Sequence, residues 1–283
     1  MGIKIKLLFT IVILEFLIIV FGYFYVVNKS PGVFQHKPSI LVIDVHGSLI
    51  DTVLGGVYDR GGTLGELTTS ADEVVRVLQT FERDDNFKGF ILDIDSNGGE
   101  GSAAEDIARQ VRRMDKPVVA VVRDQALSSG YYVAASTNRI YANAFSNIGN
   151  IGVISSFVNR TRNGTEQECF VSSTKIKGMF LSDCAGFDPE EVQTMQHYVK
   201  VSHDYFIYDI ALLRNLSIPY IAKLADGSIY HGGEALKLQL IDAIGDAQSA
   251  KRDLEKQTGS KLELIYLRDL KAAYDNDKKS NAS

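Results

Sequence analysis

The chain has 283 residues, 45% of them hydrophobic and 23% charged, which is ordinary globular composition with enough apolar material for a sizeable core. A net charge of −5 with interspersed signs leaves no basic stripe and argues against nucleic acid as a partner. Two cysteines, Cys169 and Cys184, without a Cys-x-x-Cys pairing exclude a cysteine-based zinc site and a thioredoxin-like motif. They read either as one disulfide or as two buried thiols.

The first element is apolar: Leu7 to Val27 carries one charge, Glu15. At about 1.5 Å rise per residue its length matches a hydrocarbon core of about 30 Å. It ends in Gly-Tyr-Phe-Tyr-Val-Val, not in small residues suited to cleavage, so it reads as an uncleaved anchor. Lys4 and Lys6 precede it, which puts the short end in the cytoplasm and the remainder on the extracytoplasmic side of the cell (inner) membrane, single-pass. The expected organisation is residues 1–27 as stub and transmembrane anchor, 28–38 as linker, 39–270 as one α/β domain, and 271–283 as a polar, frayed tail.

Ser39 to His46 is a compact apolar run, the first strand, and Gly47 to Thr69 is glycine-rich and irregular. Val74, Val75, Leu78 and Phe81 fall at helical spacing in Ala71 to Glu82. A second strand covers Gly89 to Ile94, a second helix Ser102 to Met114, and a third strand Pro117 to Val122. A helix over Ser128 to Ser136 and a short strand over Arg139 to Asn143 follow. Asp188-Pro-Glu-Glu opens a long helix to Leu213. Two short helices flank a turn at Gly227, and Leu240-Ile-Asp leads into a last helix. Continuously apolar strands alternating with helices imply a parallel sheet covered on both faces.

Ligands of such sheets gather where strands end and helices begin. Asp95-Ser-Asn-Gly-Gly99 follows a strand; its glycines can bring backbone amides to a developing negative charge, or simply close a tight turn. Asp124 to Tyr132 also follows a strand. Ser128 there is either a helix N-cap or a nucleophile beneath free helix amides, with the Ser129 amide joining one from Gly98 or Gly99 in an oxyanion hole.

The segments Ser96-Asn-Gly-Gly99, Ala126-Leu-Ser-Ser-Gly-Tyr-Tyr132 and Gly149-Asn-Ile-Gly-Val-Ile154 resemble, in order and spacing, the signal peptide peptidase A (protease IV) family. Ala225 to Tyr230 and Ala235 to Asp242 are similar to further family segments, so the resemblance covers about residues 39 to 250. It implies a ClpP/crotonase-type fold, a Ser–Lys dyad serine endopeptidase, signal-peptide remnants or other membrane-proximal peptides as substrates, and a homo-oligomeric ring. No cofactor or metal is implied. Asn97 stands where the family usually has Pro, and Ser129 where it has Gly. Asn150 stands where relatives often carry a Ser that hydrogen-bonds the lysine; an Asn carbonyl can also accept from an amine. Register with the family puts the general base at Lys177, with Lys175, two residues away on the same strand face, as the alternative.

A serine hydroxyl needs an adjacent base, and a lysine serves only if burial lowers its pKa from about 10.4. The histidines offer no rival: His36 is in the linker, His46 ends a strand, His197 and His203 sit on a helix away from the serine motif, and His231 is in an exposed turn. No metalloprotease spacing is present. Two other readings carry weight: an inactive relative serving as membrane scaffold or peptide-binding module, and an acyl-CoA enzyme of the crotonase superfamily.

Overall fold

The computed structural model describes residues 37–51, 68–160, 166–178, 184 and 187–280. The expected anchor at 7–27 and most of the linker lie outside these residues. Among the described residues, no helix is long and apolar enough to cross a membrane.

Strand β1 (Ser39–Ile50) lies at the middle of a mainly parallel sheet with β3 (Phe87–Gly99) and β4 (Val118–Leu127). The sheet continues through β5 (Arg139–Ala142) to β10 (Ala243–Ile244) on one side and to β11 (Glu263–Tyr266) on the other. Short β2 (Thr68–Ser70) pairs with the end of β1, and β6 (Asn147–Gly149) joins the end of β4 and bonds antiparallel to β9 (Ile229–His231). The expected parallel sheet flanked by helices is therefore present.

Both faces are covered, which explains the unbroken apolar runs. Leu41, Ile43, Val45, Phe90, Leu92 and Ile94 point to one face. There they meet α1 (Ala71–Glu82), α2 (Gly101–Arg113), α3 (Ser129–Ala135) and α4 (Pro189–Leu213). The alternating set, Ile40, Val42, Ile91, Val119 and Val121, packs on Ala250 and Leu254 of α7 (Ala247–Thr258). Two short helices, α5 (Ile218–Leu224) and α6 (Gly232–Lys237), flank β9, in keeping with the turn at Gly227.

Several boundaries differ from expectation. The strands expected to stop at Ile94 and Val122 run on to Gly99 and Leu127, so the two motifs are the tips of strands and not loops after them. A hairpin, β7 (Ile154–Arg160) and β8 (Glu166–Ser172), has no counterpart among the expected elements; it packs Cys169 and Val171 against Val199 of α4. A disulfide joins Cys169 to Cys184, resolving the open choice. The tail expected to fray from residue 271 is part of α8 (Leu267–Ser280), and α7 is therefore not the last helix.

Candidate active site

The tips of β3, β4 and β6 lie side by side: Ser96 is opposite Ala126, and Leu127 is opposite Gly149. Ser128 sits at the turn from β4 into α3 with φ 52° and ψ −123°. A positive φ is strained for a residue with a side chain, and such sharp strand-to-helix turns lift a hydroxyl clear of the sheet. The side chain makes no capping hydrogen bond to the helix it precedes, which removes the N-cap reading. The Ser128 amide donates to the Gly149 carbonyl at 2.8 Å, and its carbonyl accepts from Tyr132 at 3.1 Å. The Tyr132 hydroxyl in turn reaches Glu105 of α2 (2.5 Å) and Asp209 of α4 (2.8 Å), bracing α3 between two helices.

Each glycine beside Ser128 has a distinct task. Gly98 adopts φ +111°, and a Cβ there would lie 2.9 Å from Ser128 Cβ and 3.3 Å from the Ser129 amide nitrogen. Its lack of a side chain lets Ser128 Cβ and a first-turn helix amide, which has no intrahelical acceptor, approach β3 closely. The Gly98 amide itself donates to Ser96 Oγ at 3.2 Å, and the fully buried Ser96 hydroxyl donates to the Gly47 carbonyl at 2.6 Å. Gly99, at φ +145°, is pressed against β1: a Cβ would fall 2.2 Å from the Leu49 oxygen. Its carbonyl accepts from Ser129 Oγ at 2.9 Å, while the next amide, Glu100, donates the other way to Leu49. Of the two glycine amides considered from sequence, Gly98's already has a partner in Ser96 Oγ. Ser96 belongs to the Ser96–Gly99 motif, but its role in holding this turn through the Gly98 amide and the Gly47 carbonyl is not read from the sequence.

The two candidate lysines do not share a strand face. β8 ends at Ser172, and Thr174 to Gly178 form turns that direct Lys175 to solvent and Lys177 inward. The Lys177 amine donates to the Asn150 backbone oxygen at 3.0 Å and makes a short contact with Asn150 Oδ1. Burial lowers its pKa from 10.5 to about 8. Its stem lies where Gly152 leaves room, with Cγ and Cδ 3.4 Å from the position a Cβ would take. Asn150 is itself fixed: Nδ2 donates to the Gly227 carbonyl (2.8 Å) and the backbone amide to Ser228 (2.7 Å), at a φ of 50° that Asn tolerates. Its amide is thereby turned so that its oxygen faces the amine.

Of the histidines, His203 sits on α4 as expected, with Nε2 shielded from solvent and without a hydrogen-bond partner among the described residues. On the opposite face of the sheet, Asp44, His46 and Asp93 bring ligand-type atoms within 4.8 Å of one another. Arg268 donates to Asp44 at 2.8 Å and Arg123 stands 3.9 Å from Asp93, so two guanidinium charges already balance the two carboxylates.

The family model for peptidase family S49 matches residues 110–261, more than half of the chain and including both Ser128 and Lys177. The chain belongs to peptidase family S49. The chain is 33% identical over 206 residues to the Methanocaldococcus jannaschii protein named "Putative protease MJ0651", aligning over 70% of this chain and 66% of that one. It is 28% identical to the Enterococcus faecium "Putative signal peptide peptidase SppA" (77% of this chain, 63% of that one). To "Protease 4" of Haemophilus influenzae it is 26% identical (77% and 34%). The chain thus spans less than two thirds of each of these three relatives. A solved structure, that of a mutant of the "1510-N membrane-bound stomatin-specific protease", shares the fold with TM-score 0.50 over 81% of this chain and 97% of that chain, at 16% identity.

Proposed function

We propose that this S49 member is a serine endopeptidase in which Ser128 attacks the peptide carbonyl and Lys177 is the general base. The observation that carries the reading is the desolvated Lys177 amine, held by Asn150 next to the residue that anchors the Ser128 amide. A lysine with its ordinary pKa is protonated at neutral pH and cannot accept a proton. With a pKa of about 8, roughly one molecule in ten carries a neutral amine at pH 7. That amine takes the Ser128 proton as Oγ bonds to the carbonyl carbon, and the tetrahedral oxyanion rests on the Ser129 and Gly99 amides. The C–N bond then breaks, and the proton passes from Nζ to the leaving amine. Water, activated by the same amine, cleaves the Ser128 ester and restores the enzyme.

Signal-peptide remnants and other membrane-proximal peptides are the proposed substrates. The apolar segment 7–27 supports an anchor that would hold the domain beside the bilayer on its extracytoplasmic side, and the family resemblance supports assembly into a homo-oligomeric ring.

A fluorophosphonate probe tests the dyad. Wild type is expected to be labelled at Ser128; Ser128→Ala and Lys177→Ala are expected to lose labelling, and Lys175→Ala to keep it. A wild-type protein that never reacts would sink the enzyme reading in favour of a peptide-binding scaffold. The pH profile is a second expectation. Because the lysine is active when neutral, log(kcat/KM) should climb by about one per pH unit and level off above about pH 8. A plateau already reached by pH 6 would rule Lys177 out as base.

A further inference from the structure

Helix α4 is apolar on two opposite sides. Val199, Ile207 and Ile210 are buried against the domain. Tyr198, Val201, Tyr205, Tyr208 and Leu212 are exposed, from 37% for Val201 to 68% for Tyr205. At about 100° per residue, these side chains leave the helix within a strip about 80° wide, centred diametrically opposite the buried side. They recur after three, four, three and four residues, the alternation by which one helix seats another along a seam. From Tyr198 to Leu212 the strip runs for about 21 Å.

The area is large for an uncovered surface. Three tyrosines of roughly 200 Å² each, more than half exposed, together with Leu212 and Val201 amount to about 500 Å². Single chains seldom leave a larger apolar patch open to water. Two such strips laid together bury about 1,000 Å², where stable protein interfaces begin. Tyrosine suits a contact of this kind, with its ring buried and its hydroxyl at the wet rim. The neighbouring charges are already matched. Lys200 donates to Asp204 at 2.6 Å along one flank, and along the other Asp209 accepts from the Tyr132 hydroxyl at 2.8 Å. A facing helix therefore meets no unbalanced charge from these groups.

We propose that this strip is a two-fold contact with a second copy of the chain, whose α4 runs antiparallel across the first with Tyr205 on the axis. The pattern itself selects the occupant. Turned end for end about Tyr205, the strip lays Tyr198 against Leu212 and Val201 against Tyr208. The smallest side chain then faces a large one, and each pair occurs twice, as an isologous interface requires. A partner of unrelated sequence gives no reason for a pattern that matches its own reversal. The contact is independent of the Ser128–Lys177 dyad. It also differs from ring closure, which joins two different surfaces head to tail.

The test is cysteine cross-linking of the full-length chain in phosphatidylcholine vesicles. The native cysteines are joined to each other, so an added thiol reports alone. Tyr205→Cys is expected to give a covalent dimer on oxidation with copper phenanthroline, because a residue on the two-fold axis meets its own copy within disulfide reach. Tyr198→Cys and Leu212→Cys are each expected to stay uncoupled alone and to link when the two are mixed. Tyr205→Glu sets like charges against each other at the axis. It should weaken association of the detergent-solubilised chain by about 100-fold or more, read by sedimentation. Because Tyr205 is exposed, the melting temperature of that variant should stay close to that of wild type. Absence of a dimer through Tyr205→Cys, or unchanged association in Tyr205→Glu, would overturn the pairing; a strip covered by residues 1–36 or by lipid gives that result. Linking of Tyr198→Cys to itself would overturn the antiparallel register. A wild type that takes no fluorophosphonate would remove the dyad and leave these cross-links as expected.

Discussion

Lys177→Met should give a protein that hydrolyses no peptide and yet unfolds at a higher temperature than wild type. The loss of activity follows from the dyad: without a base the Ser128 hydroxyl keeps its proton, and the rate should fall by about 10³-fold or more. The gain in stability follows from the same desolvation that makes the lysine useful. The amine binds its proton with a pKa of about 8 when folded and 10.5 otherwise. At neutral pH the unfolded chain is therefore favoured, by a ceiling of about 3 kcal/mol before allowing for water that reaches this half-buried site. Methionine fits the stem's channel beside Gly152, but leaves two Asn150 oxygens without their donor, which takes back about 1 kcal/mol or more. A net gain of about 1–2 kcal/mol corresponds to a few degrees in melting temperature. The sign has a signature. Because the folded pKa is depressed, the penalty is complete below pH 8 and vanishes as pH rises through 10.5, so the wild type should close the gap over that window. A gap that is absent at pH 7, or that widens with pH, would show that the amine is not desolvated.

Alanine at Gly98 and at Gly99 should fail for different reasons. At Gly99 the new Cβ would lie 2.2 Å from Leu49 O and 2.5 Å from Leu49 N, backbone atoms held in the middle of the sheet. Neither strand can give way without breaking β1–β3 pairing, so the cost should exceed about 4 kcal/mol, a large share of a domain's stability. Little soluble protein, or a melting point lowered by about 10 °C or more, is expected. At Gly98 the Cβ meets Ser128 Cβ at 2.9 Å, Leu127 O at 3.1 Å and the Ser129 amide at 3.3 Å, atoms of the turn from β4 into α3, which can shift without breaking the β1–β3 pairing. That variant should fold, at a cost of about 1–3 kcal/mol for the positive φ. Its activity should drop by about 10²-fold or more, because the methyl group fills the space in which the oxyanion forms. Parallel melting curves and peptide-cleavage rates distinguish the two. Full activity in Gly98→Ala would move the oxyanion site elsewhere.

Much of the fold is legible in the sequence because its signal is local. The apolar runs Ile40–Ile43 and Phe90–Leu92 read as strands buried on both faces, and Asp188-Pro-Glu-Glu marks where α4 starts. The strand tips escape such reading because Asp95–Gly99 and Arg123–Gln125 are polar: there β3 and β4 still pair, but the site replaces the core as their environment. The β7–β8 hairpin has little apolar periodicity since it packs mainly on α4, Cys184 and Phe187, and β11 is four residues at the sheet's edge. Ser128 is readable as a residue type in a motif. That Lys177 is inward and Lys175 outward is not, since it depends on Gly152 and Gly227 clearing a channel from distant parts of the chain.

One dipeptide has a mechanical consequence. The Gly149 carbonyl holds the amide of Ser128, and the carbonyl of the following residue, Asn150, holds the amine of Lys177. The strand tip bearing these two oxygens is a common mount. A displacement of β6 would carry the Ser128 amide and the Lys177 amine together, so the alignment of the proposed dyad would be insulated from motion that would detune two independently supported groups.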